Sequence, residues 1–249
     1  MKTVVLIRHG QSLGQTCHER GLDRKDPSLV DCFLSSKGIR EACALRSNAF
    51  LQQFKFDLIC VSPLTRAIAT CMLGLGNIID ESIEEDGVVS IPIVARADIC
   101  EVGSKIPENH GRPVQALVKD LTHRLYTAGP PTKGLEYVDF TMLPASWPDI
   151  HDGRNHAHDN AGFLQWLDSR PEETVAVVCH YNIIKGLLGR RIQHVMNCAP
   201  IECIFTDEGD LLTKSEYDSG FRIPKMDTVL NKKKNRKKSS KRRTTLDIM

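Results

Sequence analysis

Residues 4–12 read Val-Val-Leu-Ile-Arg-His-Gly-Gln-Ser, an apolar run that stops at Arg8-His9-Gly10. The apolar, mainly β-branched residues 4–7 predict a strand that is buried on both faces, as in a parallel sheet. Gly10 follows at a point where its backbone freedom suits a sharp turn. Ligands of open α/β sheets bind beyond the carboxyl ends of the strands. Arg8 and His9 are therefore predicted to lie in a functional site.

Two further apolar runs end in the same way. Residues 56–61 lead into Ser62-Pro63-Leu64-Thr65-Arg66-Ala67, where Ser62 is predicted to cap a helix that carries Arg66 in its first turn. Residues 174–179 end at His180, before a second predicted helix. Free N–H groups at a helix start and the planar guanidinium of Arg66 both favour a phosphate. Each residue also has an ordinary interpretation, Arg66 as a surface arginine and His180 as a structural histidine.

The carboxyl ends of parallel strands meet at one edge of a sheet, so these strand-end residues are expected to converge. Their motifs, at residues 8–10, 62–67 and 177–180, resemble those of the histidine phosphatase superfamily and occur in the same order. From residue 1 to about residue 215 the chain is similar to the phosphoglycerate mutase branch of that superfamily. Because that family contains sugar phosphatases, mutases, protein phosphatases and inactive members, the resemblance does not specify a substrate.

The resemblance implies a fold and a reaction. The fold class is α/β, a single-domain three-layer α/β/α sandwich with a mostly parallel central sheet. In the implied reaction His9 takes a phosphoryl group to form a phosphohistidine that water hydrolyses, while Arg8, Arg66 and His180 surround the phosphoryl oxygens. An imidazole with an unperturbed pKa of about 6.5 suits a nucleophile at neutral pH. Since a cationic pocket can stabilise the transferred group without a metal ion, we expect no metal and no cofactor.

The resemblance also implies a carboxylic acid after a third strand, and residues 91–103 contain two candidates. Asp98 has the better spacing to the following glycine. Glu101 has the side chain that the family usually places there, and its extra methylene gives it a longer reach. Glu101 is favoured as the general acid and Asp98 is the alternative. The alternative is that neither carboxylate has a catalytic role and that both are solvated loop acids.

Polar side chains after each histidine, and in the segment 108–113, are expected to contact the substrate. Helix capping and turn chemistry explain Ser12 and Gln15 equally well. The segment 108–113 is predicted to be a substrate loop, with Asn109 and His110 as additional specificity contacts. The candidate substrate-binding residues are Gly10, Ser12, Gln15, Tyr181 and Arg112.

The chain of 249 residues, 41% of them hydrophobic, is long enough for one α/β domain, which we place at residues 1–225. Its patterns include a predicted helix over 37–54 and a hairpin over 201–212. No apolar stretch reaches the roughly 18 residues of a membrane span, and the first strand follows Met1 closely. We therefore expect a cytoplasmic protein without a transmembrane segment or a signal peptide.

Residues 226–249 form a basic tail, in which residues 232–243 contain nine Lys or Arg residues and no acid. Because this composition offers no apolar face to bury, the tail is predicted to be disordered. It is a candidate nuclear localisation signal for an import carrier, and it equally suits a nucleic acid or an anionic surface. A solvated end without a partner is the simpler interpretation.

The favoured function is hydrolysis of a small-molecule phosphate ester by a histidine phosphatase. The first alternative is a phosphoglycerate mutase-type phosphotransferase, which is less favoured because the segment after Asp98 does not resemble that of the family's mutases. The second alternative is a catalytically silent phospholigand-binding protein that uses its basic tail for recruitment.

Overall fold

A single seven-stranded sheet organises the chain. The computed structural model describes residues 1–103, 105–130, 132–148, 160–189 and 191–223. In chain order the strands are β1 (Lys2–Arg8), β2 (Leu58–Val61), β3 (Ile93–Ala95), β4 (Val138–Asp139), β5 (Thr174–Cys179), β6 (Pro200–Phe205) and β7 (Leu211–Thr213). Across the sheet their order is β4-β3-β2-β5-β1-β6-β7. The first five strands pair in parallel and the last two are antiparallel to their neighbours, so the predicted, mostly parallel sheet is confirmed.

Helices cover both faces of this sheet. They are α1 (Leu13–Glu19), α2 (Ser36–Ala44), α3 (Thr65–Glu81), α4 (Val114–Ala128), α5 (Asn160–Asp168), α6 (Tyr181–Leu187) and α7 (Lys214–Asp218). Val5 and Ile7 of β1 share one core with α2, α3 and α4, whereas Val4 and Leu6 share the other with α5 and α6. All four side chains are fully buried, as expected for a strand covered on both faces. The chain is therefore a three-layer α/β/α sandwich, as predicted.

The structure corrects the helix predicted over residues 37–54. Helix α2 ends at Ala44, and two short 3₁₀ turns follow at Leu45–Ser47 and Leu51–Gln53. The Asn48 side chain accepts hydrogen bonds from the N–H groups of Phe50 and Leu51, at 3.0 and 3.1 Å. This local bonding starts a new turn where a helix would otherwise continue. Because Leu51 is still buried after the break, the apolar periodicity does not reveal it.

The hairpin predicted over residues 201–212 is confirmed by the antiparallel pairing of β6 and β7. Its turn contains Gly209 at a φ of +82°, where a side chain would be strained. The edge strand β4 was not predicted, because two residues are too few to show a pattern. The predicted basic tail, residues 226–249, lies outside the described residues. Among the residues that the structure describes, no helix is both long and apolar enough to cross a membrane.

Two glycines allow the loop after β1 to lie against the start of α2. A Cβ atom on Gly10 would lie 2.5 Å from the carbonyl oxygen of Gly38, and one on Gly38 would meet the Gln11 backbone even more closely. The Ser35 N–H donates to the Gln11 carbonyl at 2.8 Å and holds the two backbones together. The loop that follows His9 is therefore clamped between β1 and α2.

We expect the substitution Gly38→Ala to lower the free energy of unfolding by about 1–3 kcal/mol, because the added methyl group meets backbone atoms that cannot rotate away. Chemical denaturation measures this change. Lys37→Ala, at the exposed neighbouring position of the same helix, is the matched control and should stay within about 0.5 kcal/mol of the wild type. Equal stability of Gly38→Ala and Lys37→Ala would show that the two backbones separate without cost.

Candidate active site

The carboxyl ends of β1, β5 and β2 lie side by side, because β5 is between the other two strands. The residues that follow these strands are His9, His180 and Ser62. Nearby loops complete a cavity of about 260 Å³. A larger cavity of about 620 Å³ opens at the amino ends of β2 and β3 and contains none of the predicted site residues. The smaller cavity is lined by Arg8, His9, Gln15, His18, Glu19, Arg24, Arg66, Glu101, Glu108, Asn109, Tyr181 and Asn182.

His9 is buried, and its hydrogen bonds define which ring nitrogen can react. Nδ1 lies 2.7 Å from the Gly10 carbonyl oxygen. Because a carbonyl oxygen can only accept, Nδ1 carries the proton and Nε2 keeps the lone pair. The Arg66 Nε–H donates to Nε2 at 3.3 Å. Burial, together with the positive charges of Arg66 and Arg8, holds the pKa of His9 well below its ordinary value of 6.5, so the imidazole is neutral at neutral pH.

Arg66 is held almost completely out of solvent, with 1% of its surface exposed. One terminal nitrogen, Nη1, donates to the Glu108 carbonyl oxygen, and Nη2 donates to Asn109 Oδ1 at 3.0 Å. The Asn109 amide is oriented in turn, because its Nδ2 donates to the Val102 carbonyl at 2.8 Å. These contacts direct the Nε edge of the guanidinium group at His9.

Arg8 and His180 complete the group of residues at the strand ends. The Arg8 Nη1 donates to the Val195 carbonyl at 2.7 Å, and its guanidinium carbon lies 5.1 Å from the centre of the Tyr181 ring. The rings of His9 and His180 are 5.0 Å apart between centroids. The structure therefore brings Arg8, His9, Arg66 and His180 together, as predicted for parallel strand ends.

Ser62 has a different role from the predicted one. Its hydroxyl lies 2.7 Å from His180 Nε2 and 3.5 Å from the Cys100 sulfur. Helix α3 begins at Thr65, and the Thr65 N–H donates to Asp31 Oδ1 at 2.8 Å. The prediction that Ser62 caps α3 is therefore wrong, because the N-cap residue is Leu64, the free Thr65 N–H is bound by Asp31, and Ser62 orients His180.

The two candidate acids are placed differently. Asp98 lies in a 3₁₀ turn, where both its oxygens bind the guanidinium group of Arg96, including Nε at 3.1 Å. Arg96 also stacks 4.2 Å from the Trp166 ring centre, so this pair packs beside α5 and does not line the cavity. Glu101 does line it, with Oε1 accepting from the Val102 N–H at 2.9 Å. The structure thus brings Glu101, and not Asp98, to the site.

Only two of the five candidate substrate-binding residues, Gln15 and Tyr181, line the cavity. Ser12 is the buried N-cap of α1, where its hydroxyl accepts from the Gln15 N–H at 3.0 Å. Its role is therefore helix capping, the alternative given for it above. Gly10 packs against Gly38 and offers its carbonyl to His9, as described above. Neither of these two residues faces the cavity.

Arg112 is also corrected as a substrate contact, because other protein groups occupy its guanidinium. Nε donates to Asp31 Oδ2 at 3.0 Å, and Nη2 donates to Thr65 Oγ1 at 2.7 Å and to Asp120 Oδ2 at 3.0 Å. Of its two neighbours with the same predicted role, Asn109 lines the cavity and His110 does not.

Glu108 is the main site residue that the sequence did not reveal. Its carboxylate is 2% exposed, accepts from Ser12 Oγ at 2.7 Å and from Arg24 Nε at 2.8 Å. Burial alone would raise the pKa of Glu108, but Arg66 and the hydrogen bonds from Arg24 and Ser12 hold it below its ordinary value. These partners lie 42 to 96 positions away in the chain, so no local pattern marks the residue. The other unpredicted lining residues are His18, Glu19, Arg24 and Asn182.

Charged side chains of both signs line the cavity, with three arginines and the three glutamates Glu19, Glu101 and Glu108. Arg66, Arg8 and Arg24 all act to lower the pKa of His9, which places three positive groups around a neutral imidazole. Guanidinium groups bind phosphate oxygens in pairs, and a neutral imidazole can attack phosphorus. Within the part of the chain that the structure describes, no group of three or more His, Cys, Asp or Glu residues is arranged to hold a metal ion.

Comparisons with known proteins agree with this geometry. Residues 4–87 match the model of the histidine phosphatase superfamily, branch 1. A Schizosaccharomyces pombe protein named a probable phosphatase is 30% identical over 105 residues, which span only 41% of this chain and 45% of that relative. An Arabidopsis thaliana phosphoglycerate mutase-like protein is 23% identical over 256 residues, covering 88% of this chain and 90% of the relative.

Among solved structures, YhfR of Bacillus stearothermophilus superimposes with a TM-score of 0.51 at 17% identity, covering 86% of this chain and 96% of that one. At this identity the likeness shows a shared fold. The family match adds the strand-end motifs around residues 8–10 and 62–67. Over residues 4–87 the chain is therefore similar to the histidine phosphatase superfamily, in agreement with the resemblance drawn from its sequence.

Replacing Arg66 with Met should raise the pKa of His9 towards 6.5, because it removes the nearest positive charge while His9 stays buried. NMR titration of the imidazole signals measures this pKa. Arg191→Met, which removes a guanidinium bound to Glu216 and outside the cavity, is the control and should leave the pKa of His9 unchanged. An unaltered His9 titration in Arg66→Met would contradict the contact between Arg66 and Nε2.

Proposed function

We propose that this protein is a phosphatase that hydrolyses small phosphate monoesters through a phosphohistidine on His9. The observation that carries the proposal is the state of His9, a neutral imidazole whose Nε2 accepts a hydrogen bond from Arg66 and which lines a cavity together with three arginines. That charge arrangement supports the first part of the proposal, a phosphoryl-transfer site. The choice of hydrolysis is supported by the S. pombe relative that is named a probable phosphatase.

In the first step, Nε2 of His9 attacks the phosphorus atom, the N–P bond forms, and the P–O bond to the leaving group breaks. The hydrogen bond from Nδ1–H to the Gly10 carbonyl favours this step, because it stabilises the positive charge that the ring acquires. Arg66 and Arg8 would bind the phosphoryl oxygens, on which charge accumulates in the transition state. Nη1 and Nη2 of Arg66 are already held in place, so when the ester binds, the Arg66 Nε–H moves from His9 Nε2 to a phosphoryl oxygen and releases the lone pair for attack.

Glu101 is the proposed general acid for the first step and the general base for the second. It donates its proton to the departing ester oxygen and becomes a carboxylate. It then takes a proton from a water molecule, whose oxygen attacks the phosphohistidine to release inorganic phosphate and restore neutral His9. Glu101 suits this role because it lines the same cavity as His9, whereas Asp98 is bound to Arg96 outside it.

His180, which lies beside His9 but does not line the cavity, is proposed to donate a hydrogen bond from Nδ1 to the transferred group, since its Nε2 is bound to Ser62. Ser62 supports that role, because its hydroxyl binds Nε2 and fixes the plane of the ring against rotation. The ring lies 5.0 Å from that of His9, close enough for both to face one phosphoryl group. In this proposal Ser62 is a positioning residue and His180 a catalytic one.

The cavity size and lining support a small, polar substrate. A volume of about 260 Å³ is close to the lower end for small-molecule sites, and its uncharged lining groups include Gln15, Asn109 and Asn182. A mutase would use the same first step but return the phosphoryl group to a second hydroxyl of its substrate. Because an A. thaliana relative is named phosphoglycerate mutase-like, the mutase is the alternative function that the experiments must distinguish from the phosphatase.

The central test is metal-free release of inorganic phosphate from a panel of phosphate esters in the presence of a chelator. We expect His9→Ala to lower turnover by at least about 1,000-fold, because the nucleophile is lost. His123→Ala, an exposed histidine on α4, is the control and should retain wild-type turnover. Brief reaction with a ³²P-labelled ester should label the wild type, and the label should be stable in base and labile in acid.

Phosphate release that persists in His9→Ala would contradict the mechanism. Transfer of the label to a second hydroxyl of the substrate, without release of phosphate, would establish the mutase instead. Binding of the esters without labelling of the protein would indicate a phospholigand-binding protein.

The assignment of the acid predicts different results for two neighbouring carboxylates. Glu101→Gln should lower kcat/KM by about 100-fold or more for alkyl phosphates, whose leaving oxygen needs a proton, and by less for p-nitrophenyl phosphate. Asp98→Asn is the matched control, and it should retain activity because Asp98 faces Arg96. A larger loss for Asp98→Asn than for Glu101→Gln would reverse the assignment.

A further inference from the structure

Asp31 is a buried carboxylate in a strained backbone conformation, close to the site but not in it. It is 2% exposed, and its φ of +44° lies in the left-handed region that side chains other than glycine rarely adopt. Burial raises the pKa of Asp31 to about 6, although hydrogen bonds from Thr65 and the charge of Arg112 favour the ionised form. Strain and a buried charge persist only where the surrounding structure holds them in place.

The carboxylate of Asp31 connects two elements that are distant from each other in the chain, the start of α3 and the segment 107–112. On one side it binds the first residue of α3, accepting from the Thr65 N–H at 2.8 Å and from Thr65 Oγ1 at 2.6 Å. On the other side it accepts from Arg112 Nε at 3.0 Å, while the Asp31 N–H donates to the Pro107 carbonyl at 3.3 Å. Arg112 closes the connection, because its Nη2 also binds Thr65 Oγ1.

Both of these elements determine where Arg66 points. Arg66 is the next residue after Thr65, so the first turn of α3 places its Cα atom. The segment 107–112 supplies the Glu108 carbonyl and the Asn109 amide that accept from its terminal nitrogens. A shift of either element relative to the other would turn the Nε–H of Arg66 away from His9.

We propose that Asp31 is a positioning residue for Arg66, whose carboxylate keeps the start of α3 and the segment 107–112 in the one relative placement that directs the guanidinium group at His9 Nε2. The catalytic meaning of this inference rests on the proposed function. Its structural meaning does not, because the contact between Arg66 and His9 can be measured without a substrate.

The first test uses Asp31→Asn, which keeps the size of the side chain and removes the charge that binds Arg112. With Arg66 free to turn away, the pKa of His9 should rise in the same direction as in Arg66→Met, as NMR titration of folded protein shows. Asp26→Asn is the matched control, because Asp26 is an exposed cap of the neighbouring 3₁₀ turn and should leave the titration of His9 unchanged. A global loss of stability alone would not move the pKa of His9 in the folded protein.

The second test combines the variants. Asp31→Asn should lower kcat/KM for the best phosphate ester about tenfold, and it should cost less than about twofold further in the Arg66→Lys background, where the oriented guanidinium fork is already lost. Thr65→Val removes the hydroxyl that joins Asp31 to Arg112 but keeps the backbone donor, and it decides the question if Asp31→Asn does not fold. It should change the pKa of His9 in the same direction by a smaller amount.

The outcomes separate this inference from the proposed function. An unchanged His9 titration in folded Asp31→Asn and Thr65→Val would overturn the positioning role, whether or not the wild type hydrolyses esters. Equal losses of kcat/KM in the wild-type and Arg66→Lys backgrounds would also overturn it, since Asp31 would then act elsewhere. If the wild type shows no phosphatase activity but the pKa of His9 is higher in Asp31→Asn than in the wild type, the positioning role is supported while the proposed function fails.

Discussion

The parallel pairing of β5 with both β1 and β2 is the constraint on which the site depends. It brings three strand ends, each far from the others in the chain, to one edge of the sheet. Because β1 and β5 are buried on both faces, a slip in register would draw the polar residues at one end of a strand into the core and push apolar residues out at the other end. Core packing of the strands therefore fixes the relative positions of His9, His180 and Ser62 independently of the contacts that these three residues make themselves.

Around this edge the protein buries charged side chains that come from several segments of the chain. Arg66, Glu108 and Asp31 are each at most 2% exposed, and each has oppositely charged or hydrogen-bonding partners on a different segment. Removing one partner from a buried pair usually costs about 3–5 kcal/mol, because the other charge is then left without compensation. Such pairs consequently hold loops in one arrangement, which a guanidinium group aimed at a single nitrogen atom requires.

The sequence predicted those features that depend on local pattern and on the geometry of parallel sheets. Apolar runs that end in polar residues identified β1, β2 and β5, and they were sufficient to bring Arg8, His9, Arg66 and His180 together. Side chains whose partners are distant in the chain were not predictable in this way. Ser62 is of a residue type that often caps helices, but Asp31, 34 positions before Thr65, accepts the free N–H at the start of α3.

The same limit explains the remaining corrections. The sequence predicts Arg112 as a substrate contact because nothing near it in the chain indicates that its guanidinium binds Asp31 and Asp120. The choice between Glu101 and Asp98 depended on loop conformation, since a 3₁₀ turn directs Asp98 to Arg96 and the chain then brings Glu101 back towards the cavity. Spacing along the sequence does not encode that change of direction.

Gly10 shows how stability and chemistry come from one local arrangement. Its lack of a side chain lets the loop after β1 pack against Gly38, and this packing holds the Gly10 carbonyl beside His9. That carbonyl binds Nδ1–H and so leaves the lone pair on Nε2, the nitrogen that Arg66 faces. A larger residue at position 10 would separate the loop from α2 and also release the ring from this orientation. The glycine therefore acts on the site through the backbone, without facing the cavity itself.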